Sequence, residues 1–316
     1  MINERVPPAL DGERIDRVVS MLTGLARSDA AHMVDDGRVC IGGRSVHSRG
    51  RRVHTGEVLD LDVPGATPVE AVVADPTVGV VVVWVDDALI VVDKPAGLVV
   101  HPGAGNTHGT LVQGLLAAFP DLWAMAVGEA AARPGVVQRL DKGTSGLLVV
   151  ARSEDARRSL VAQLGDRAVE RRYRALVAGT VEAGEGLIDA PLGRAGTDPT
   201  RITVAAGGRE ARTRYRVDAR YRHPIDASLL ECRLETGRTH QIRVHLAAIG
   251  HSLIGDDRYG GPILAPKGPA GRGAPPARPF LHAAVLGFDH PVTGERLRFE
   301  SPLPPDLVAI LEAFSA

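Results

Sequence analysis

A lone carboxylate at the start of a tight turn is the residue of this chain best placed to do chemistry. Asp141 lies in the stretch QRLDKGTSGLLVVAR, where the turn residues Gly143–Gly146 precede the apolar run Leu147–Val150. That run has the length and the branched side chains of a buried strand. A charge held beside a core strand is costly unless it is paired. Asp141 is therefore either a capping residue or part of a reactive site.

Turn chemistry alone leaves both alternatives open. An Asp before a Gly-Thr-Ser turn can accept hydrogen bonds from the backbone that follows it and do nothing more. A third alternative, the paired-carboxylate site of an aspartic protease, is excluded. Lys142 stands where a hydroxyl residue would be expected, and the turn has no second copy. Other segments must decide between capping and catalysis.

Four segments of the chain occur in the order expected for one enzyme family. The stretch around Asp141 resembles the catalytic motif of RNA pseudouridine synthases of the RluA/RluD type, and Ala88–Pro102 (ALIVVDKPAGLVVHP) resembles their first motif. That first motif predicts two short strands on either side of a Lys-Pro-Ala-Gly turn. Arg172–Gly179 resembles the segment with the active-site tyrosine, and Leu234–Tyr259, which contains GRTHQIRVH, resembles the third motif. Together the four motifs make the resemblance specific.

Two positions depart from the family pattern. Gln138 stands where the family usually has His, and Arg152 stands where Lys is common. Gln can donate and accept hydrogen bonds, but it cannot titrate near neutral pH. Either this position is a supporting contact or the protein is impaired. We favour the supporting contact, because Asp141, Tyr173 and Arg243 are all present.

The resemblance implies a reaction and a role for each of three residues. Conversion of uridine to pseudouridine breaks the bond from C1′ to N1, turns the uracil and rejoins it through C5. No redox step occurs and no group leaves, so we expect no cofactor. The resemblance implies that Asp141 is the catalytic carboxylate and that Arg243 pairs with it. It implies that Tyr173 stacks on the target base and can help to remove the C5 proton. Attack on the sugar, attack on the base and removal of a sugar proton all stay open for Asp141.

Further residues are expected to handle the RNA rather than the chemistry. The target base must leave the RNA stack, at a cost of a few kcal/mol. Arg139 resembles the family arginine that fills the vacated space, and the third motif adds Arg238, His240 and Gln241 as substrate RNA-binding candidates. Two basic clusters suit contacts to phosphates; they are Arg49, Arg51 and Arg52, and Arg167, Arg171, Arg172 and Arg174. No metal site is expected, since His240 and His245 are five residues apart and face different sides of a helix.

The N-terminal segment predicts a small unit of its own. A helical apolar stripe is formed by Ile15, Val18, Val19 and Leu22. A second helix is predicted over Ser28–Asp36 with Ser28 as its N-cap, followed by short strands at Arg38–Ile41 and Val58–Val63. This order resembles the S4 RNA-binding domain. Between residues 13 and 52 eight Arg stand against five acidic residues, which favours RNA contacts; the expected residues are Arg27, Arg38, Arg51 and Arg52. A small solvated helical domain is the alternative.

The predicted fold class is α+β. Strands and helices do not alternate regularly, so a doubly wound parallel sheet is excluded. The resemblance implies a catalytic domain with a large mixed, mainly antiparallel sheet, preceded by the S4-like domain. We predict the S4-like domain at residues 1–64, a linker at 65–78 and the catalytic domain at 79–316. The Gly/Pro-rich stretch 260–279 is predicted to be a mobile loop inside the catalytic domain.

Composition sets the remaining limits. The formal net charge is −1, so charge is informative only locally. There is no run of 18 or more apolar residues, which predicts no membrane span, and the first residues lack an apolar signal core, which indicates the cytoplasm. Cys40 and Cys232 lie far apart in the sequence and are expected to be reduced thiols. We expect a monomer.

These observations predict an isomerase, a site-specific RNA pseudouridine synthase that acts in rRNA processing. The expected partner is large-subunit (23S) ribosomal RNA, because the S4-like domain favours rRNA by family analogy. Two alternatives remain: a synthase that modifies tRNA, and a non-catalytic RNA-binding or ribosome-assembly protein. The target uridine and the number of modified sites are not encoded in any of these motifs.

Overall fold

The computed structural model describes residues 2–23, 25, 27–62, 72–103, 106–125, 133–196, 198, 201–263 and 278–315. The chain divides into two compact units, Met1–Glu70 and Ala71–Ala316. The domain boundaries given above stay predictions. Residues 65–71 of the predicted linker and 264–277 of the predicted Gly/Pro-rich loop lie outside the described residues.

The N-terminal unit contains two helices and a small antiparallel sheet. The helices are α1 (Ile15–Thr23) and α2 (Arg27–Asp35). The strands, in the sheet order β1-β4-β2-β3, are β1 (Ile2–Arg5), β2 (Val39–Ile41), β3 (Arg44–Ser45) and β4 (Val58–Leu61). The predicted stripe of α1 packs against Leu59 and Leu61 of β4. Because α2 begins at Arg27, Ser28 lies inside the helix, and its prediction as the N-cap was wrong.

The second unit contains four α-helices and eleven strands among its described residues. The helices are α3 (Leu111–Ala118), α4 (Glu154–Gly165), α5 (Gln241–Ala248) and α6 (Pro305–Glu312). The strands are β5 (Val82–Val85), β6 (Leu89–Lys94), β7 (Ser145–Ala151), β8 (Glu170–Ala178), β9 (Glu185–Asp189), β10 (Leu192–Arg194), β11 (Ile202–Val204), β12 (Arg212–Tyr221), β13 (Ala227–Leu234), β14 (Leu281–Asp289) and β15 (Arg296–Glu300).

Nine of these strands form one mixed sheet. Eight follow the order β5-β6-β7-β14-β8-β13-β12-β9, and β15 pairs with β14 beside this path. Every pairing is antiparallel except that of β7 with β14, which is parallel. Strands β10 and β11 form a separate two-stranded pair. The prediction of an α+β fold with a large mixed, mainly antiparallel sheet is confirmed.

Strand β7 is the interior strand that positions Asp141. All seven of its residues are buried, as its run of Leu and Val predicts. Gly146 has φ = +113°, and a Cβ placed there would lie 2.7 Å from the backbone nitrogen of Ala283 on β14. A glycine is required here because the two backbones approach so closely. The turn with Asp141 therefore opens directly from the interior of the sheet.

The apolar segment after the Lys-Pro-Ala-Gly turn does not form the second strand that we predicted. The carbonyl oxygens of Val99 and Val100 instead accept hydrogen bonds from the backbone N–H groups of Leu111 and Val112, at 2.9 and 3.0 Å. The first N–H groups of a helix have no partner inside the helix. The segment supplies partners for the start of α3, and this use of its carbonyl groups explains the difference.

Candidate active site

A cleft of about 1120 Å³ in the second unit brings the predicted residues of this unit together. All seven of the proposed catalytic and substrate-binding side chains line it: Arg139, Asp141, Tyr173, Arg238, His240, Gln241 and Arg243. Gln138, the position that departs from the family pattern, lines the same cleft. Residues that are up to 104 positions apart in the sequence, from Arg139 to Arg243, therefore share one concave surface.

The turn around Asp141 is fixed through its backbone. The N–H of Thr144 donates to the carbonyl oxygen of Asp141 at 3.0 Å, and the N–H of Gly97 donates to that of Lys142 at 2.7 Å. Arg278 donates to the carbonyl oxygen of Gly143 at 3.0 Å. Among the described residues, no backbone N–H of the turn donates to the Asp141 carboxylate. The Asp141 side chain therefore does not cap the turn, and it faces the cleft.

The Asp141 carboxylate faces a guanidinium that is itself held in place. Arg243, on α5, lies with its Nη1 3.4 Å from Oδ2 of Asp141. Its Nε and Nη2 donate to the two oxygens of Asp256, both at 2.7 Å, and the Asp256 side chain is fully buried. Burial lowers the pKa of Arg243, but hydrogen bonds and charges from Asp256 and Asp141 outweigh it and raise that pKa overall. This two-point contact fixes the guanidinium plane.

His240 is the second basic group near Asp141. It precedes α5 with φ = +55°, its Nδ1 lies 2.8 Å from the hydroxyl of Tyr259, and its Nε2 lies 4.0 Å from Oδ2 of Asp141. Burial lowers the pKa of His240, and the charge of Asp141 offsets this only in part. The lowered pKa favours the neutral form of the imidazole in this position.

Tyr173 lies on β8. In the sheet, β14 separates this strand from β7, which follows the turn that contains Asp141. Its side chain is buried, yet it lines the cleft. Burial raises the pKa of the Tyr173 phenol to about 12; Arg171 lowers it and Asp141 raises it further. The phenol therefore keeps its proton at neutral pH and offers an aromatic surface.

Gln241 differs from the other predicted RNA contacts. Its side-chain oxygen accepts from Thr236 Oγ1 and Arg238 N, at 2.8 and 2.9 Å, and its nitrogen donates to Arg212 O and Thr213 Oγ1, both at 3.0 Å. An amide has two donor and two acceptor positions, so all are occupied. Gln241 has no free group for RNA, and its geometry favours a role in positioning the loop that carries Arg238.

The two arginines predicted to bind substrate RNA in the cleft have partners without negative charge among the described residues. Arg139 is exposed and donates to the hydroxyl of Thr239. Arg238 donates from Nε to the carbonyl oxygen of Glu210 at 2.9 Å. Since neither guanidinium is neutralised by a carboxylate, both keep their charge available to a ligand.

Two residues of the site escaped the sequence analysis. One is Asp256, which holds Arg243. The other is Lys94, which is fully buried and donates from Nζ to the carbonyl oxygens of Pro95 and Leu98, at 2.8 and 2.9 Å. Burial lowers the pKa of Lys94 to about 7, although the charge of Asp141 raises it. Both residues lie inside segments that resemble family motifs, but only the folded chain shows their partners.

Three arginines of the predicted basic cluster at residues 167–174 are divided between the two faces of β8, whereas Arg167 precedes this strand, lines the cleft and pairs with Glu210 and Glu235. Arg171 lines the cleft, as Tyr173 does, because residues two apart on a strand face the same way. Arg172 lies on the other face with Glu170 and Glu231, at 2.6 and 3.1 Å. Arg174 is paired with Asp218. These two arginines are neutralised by carboxylates and do not belong to the cleft.

The four predicted RNA contacts of the N-terminal unit all have partners within that unit. Arg27, Arg38 and Arg51 form ion pairs with Asp16, Asp62 and Glu57, at 3.4, 3.3 and 3.2 Å. Arg52 donates to the carbonyl oxygen of Gly12 at 2.6 Å. Except for the backbone-bound Arg52, each would exchange a carboxylate for a phosphate on binding RNA.

Within the described residues no cluster of three or more His, Cys, Asp or Glu side chains could hold a metal ion. In the same part of the chain, no helix has the length and apolar character needed to cross a membrane. Cys40 and Cys232 are both free thiols, and burial raises the pKa of Cys232 to about 12.

Comparison with known proteins agrees with the geometry of the cleft. The model of the RNA pseudouridylate synthase family matches residues 88–248. The chain is 42% identical over 313 residues to the ribosomal large subunit pseudouridine synthase D of Xanthomonas campestris, covering 98% of this chain and 91% of that protein. The synthase of the same name from Pseudomonas aeruginosa is 41% identical over 311 residues, covering 97% and 93%.

Solved structures give the same result. Human RNA pseudouridylate synthase domain containing 1 superposes with a TM-score of 0.56 at 26% identity, covering 75% of this chain and 89% of that one. The chain belongs to the RNA pseudouridylate synthase family. It is an enzyme, an isomerase that converts uridine in RNA to pseudouridine.

Proposed function

We propose that this synthase modifies uridines of large-subunit ribosomal RNA, in the cytoplasm and as a monomer. The main support is the similarity to proteins named ribosomal large subunit pseudouridine synthase D, which extends over nearly the whole of both chains. A match over that length includes the N-terminal unit as well as the catalytic cleft. The proposal therefore concerns both units.

One observation supports Asp141 as the catalytic carboxylate. Its side chain faces the cleft, free of the turn, 3.4 Å from a guanidinium that buried Asp256 holds at two points. A fixed positive charge at this distance stabilises the carboxylate in one position. An oriented carboxylate is what cleavage and re-formation of a glycosidic bond require, since the reacting atoms must stay in place while the uracil turns.

Tyr173 and Arg139 complete the proposed handling of the base. Tyr173 offers the flipped uracil an aromatic surface next to Asp141 and retains its own proton at neutral pH. Arg139 is exposed, has no carboxylate partner among the described residues, and can occupy the space that the base leaves in the RNA stack. A guanidinium can stack on neighbouring bases and contact a phosphate at the same time.

For the N-terminal unit we propose an S4-like RNA-binding role for residues 1–64. The two helices, the small sheet that β1 forms with the three strands after them, and the local excess of arginine support it. The candidate contacts are Arg27, Arg38, Arg51 and Arg52. They would position the RNA through its phosphates and would not select a sequence.

The test combines one substitution with a map of pseudouridines in total RNA. Cells that lack the gene are complemented with the wild-type chain or with Asp141→Asn, and the positions of pseudouridine are compared. We expect one or more large-subunit rRNA positions to be restored by the wild type only. RNA binding by purified Asp141→Asn should stay within a few-fold of the wild type, because the substitution keeps the shape of the side chain.

Asp257→Asn is the matched control, since Asp257 is an exposed carboxylate on the loop that carries Asp256. It should restore the full pattern. Restoration by Asp141→Asn would contradict the catalytic assignment. Restoration confined to tRNA positions would refute the rRNA target and leave the assignment of Asp141 intact.

A further inference from the structure

Arg171 is a buried arginine on the cleft face of β8 that the proposed chemistry does not use. Only 6% of the residue is exposed, and it lines the cleft together with Tyr173. The two are two residues apart on one strand, which separates them by about 7 Å. That separation is close to the distance between a nucleobase and the phosphates of the same nucleotide.

The hydrogen bonds of Arg171 are few and long. Its Nη2 donates to the carbonyl oxygens of Leu234 and Glu235, at 3.5 and 3.4 Å, and its Nε has no partner. Among the described residues, no carboxylate lies within ion-pair distance of it. Arg243, which is as buried, holds both oxygens of Asp256 at 2.7 Å. Of these two buried guanidinium groups in the cleft, one is paired and the other is not.

Glu235, the acidic residue that directly follows β13, has its carboxylate engaged with other arginines. The carboxylate of Glu235 lies 3.5, 3.1 and 2.6 Å from three other guanidinium groups, those of Arg167, Arg212 and Arg214. Glu235 therefore offers Arg171 only its backbone oxygen. A buried charge without a counter-charge is costly. An anionic ligand in the cleft would supply the missing counter-charge of Arg171.

The loop beside Arg171 is shaped to leave its guanidinium in place. Gly237 begins the Gly-Arg-Thr-His motif, and a Cβ at this position would lie 2.8 Å from Nη1 of Arg171. Its φ is not in the left-handed region, so the backbone conformation does not require glycine. A side chain at position 237 would therefore have to displace the Arg171 guanidinium.

We propose that Arg171 is an anion-binding residue inside the cleft, and that its guanidinium binds a phosphate adjacent to the flipped uridine. A planar guanidinium suits two phosphate oxygens, and an unpaired Nε next to a weakly bonded Nη2 supplies two donors on one edge. The inference rests on the proposed placement of the target base over Tyr173 and beside Asp141. The proposed contact lies inside the cleft and sets how far the nucleotide enters it.

The experiment removes the charge from either side of this contact. The probe is an RNA hairpin that the wild-type enzyme converts, whether of rRNA or tRNA origin, made with a neutral methylphosphonate at the 5′ or the 3′ phosphate of the target uridine. For the wild type, one of the two replacements should weaken binding about tenfold, as loss of a charge-assisted hydrogen bond does. Arg171→Met should bind the unmodified hairpin about tenfold more weakly and lose nothing further with that methylphosphonate.

Three variants make the result interpretable. Arg172→Met is the matched control, because Arg172 is the next residue on the same strand but faces away from the cleft; it should keep the wild-type sensitivity. Arg171→Lys keeps the positive charge but not the planar guanidinium with two donors on one edge, and it should recover part of the affinity. Gly237→Ala leaves Arg171 in the chain but crowds its guanidinium, so it should reduce the methylphosphonate effect even if Arg171→Met does not fold.

The proposal is overturned if Arg171→Met, or Gly237→Ala when the former is unfolded, remains as sensitive to both methylphosphonates as the wild type. A loss of affinity that leaves the sensitivity intact would point to a contact with the base instead, and also refutes it. Because the hairpin is chosen by conversion and not by origin, an error in the rRNA assignment changes the probe but not the outcome.

Discussion

At the residue scale, the site depends on two successive ion pairs: Asp256 holds Arg243, and Arg243 contacts Asp141. Asp256 is buried and accepts two hydrogen bonds from Arg243, whereas Asp141 receives one longer contact. Removing one partner of a buried ion pair leaves the other charge uncompensated, which is strongly destabilising. Asp256 is therefore the residue that keeps Arg243 in position for Asp141, although it does not line the cleft.

We predict that Asp256→Asn lowers kcat about 10-fold to 100-fold and changes KM little. The amide keeps the shape but not the charge, so Arg243 loses its fixed orientation beside Asp141. Stability should fall by about 2–4 kcal/mol, measured by urea unfolding. Asp257→Asn, on the exposed neighbour, should match the wild type in both assays. An Asp256→Asn enzyme with unchanged kcat would contradict the role of Asp256 in positioning Arg243 for Asp141.

Lys94 predicts a pH dependence of stability. Its pKa is about 7 in the folded chain against the ordinary 10.5, so between these values the unfolded chain binds more protons. Stability therefore rises with pH across this window, by about 1 kcal/mol per pH unit. Urea unfolding at pH 7.5, 8.5 and 9.5 should show this rise in the wild type relative to Lys94→Met.

The control for this measurement is Lys142→Met, since Lys142 is an exposed lysine on the turn of Asp141. Its free energy of unfolding should follow the wild-type pH profile. Parallel profiles for the wild type and Lys94→Met would show that the buried ammonium does not titrate in this range.

At the element scale, the contact between β7 and β14 determines whether the site forms. Gly146→Ala would place a Cβ against the backbone of Ala283 and would force a side chain into φ = +113°. We predict a loss of about 3 kcal/mol or more, with loss of activity. Gly165→Ala, at the end of α4 with nothing within 4 Å, should leave stability within about 0.5 kcal/mol of the wild type. Circular dichroism during thermal unfolding measures both.

The elements also show how far sequence patterns lead. Strand β7 follows from its branched residues, and the predicted run Leu147–Val150 lies within its bounds; β6 is the first of the two strands predicted in Ala88–Pro102. Strand β14 was not predicted, because its sequence LHAAVLGFD contains Ala and Gly, which favour strands weakly. It is a strand because β7 and β8 pair with it on both sides.

The candidate site was predictable in its residue types but not in its pairings. Asp141, Tyr173 and Arg243 each lie in a short continuous motif, which the linear sequence shows directly. The contacts of Asp256 with Arg243, and the burial of Lys94 and Arg171, arise only when distant segments meet. Periodicity carries no information about such contacts. The same limit explains why Gln241 was predicted as an RNA contact, when its four hydrogen bonds are in fact all internal.

At the scale of the whole molecule, each unit has a hydrophobic core of its own. The core of the N-terminal unit consists of residues between Val6 and Leu61, and the largest core of the second unit begins at Val72. We predict that a chain of residues 71–316 folds cooperatively and converts a short target hairpin at the wild-type rate. On full-length rRNA its kcat/KM should fall about tenfold or more, because phosphate contacts of the N-terminal unit are lost.

Equal activity of the truncated chain on both substrates would contradict an RNA-binding role for the N-terminal unit. A truncated chain without a cooperative thermal transition would instead contradict the independence of the two cores. The salt dependence of binding to full-length rRNA is a further measurement, and its slope should be smaller for the truncated chain.

The parallel pairing of β7 with β14 also has a consequence for synthesis. Ser145 pairs with His282, 137 residues later in the chain, and β14 then separates β7 from β8. Until residue 289 has left the ribosome, β7, which follows the Asp141 turn, and β8, which carries Tyr173, have no strand between them. Long-range pairing of this kind comes late in folding. The nascent chain therefore acquires its catalytic cleft only after β14 has been translated, whereas the N-terminal unit can fold long before.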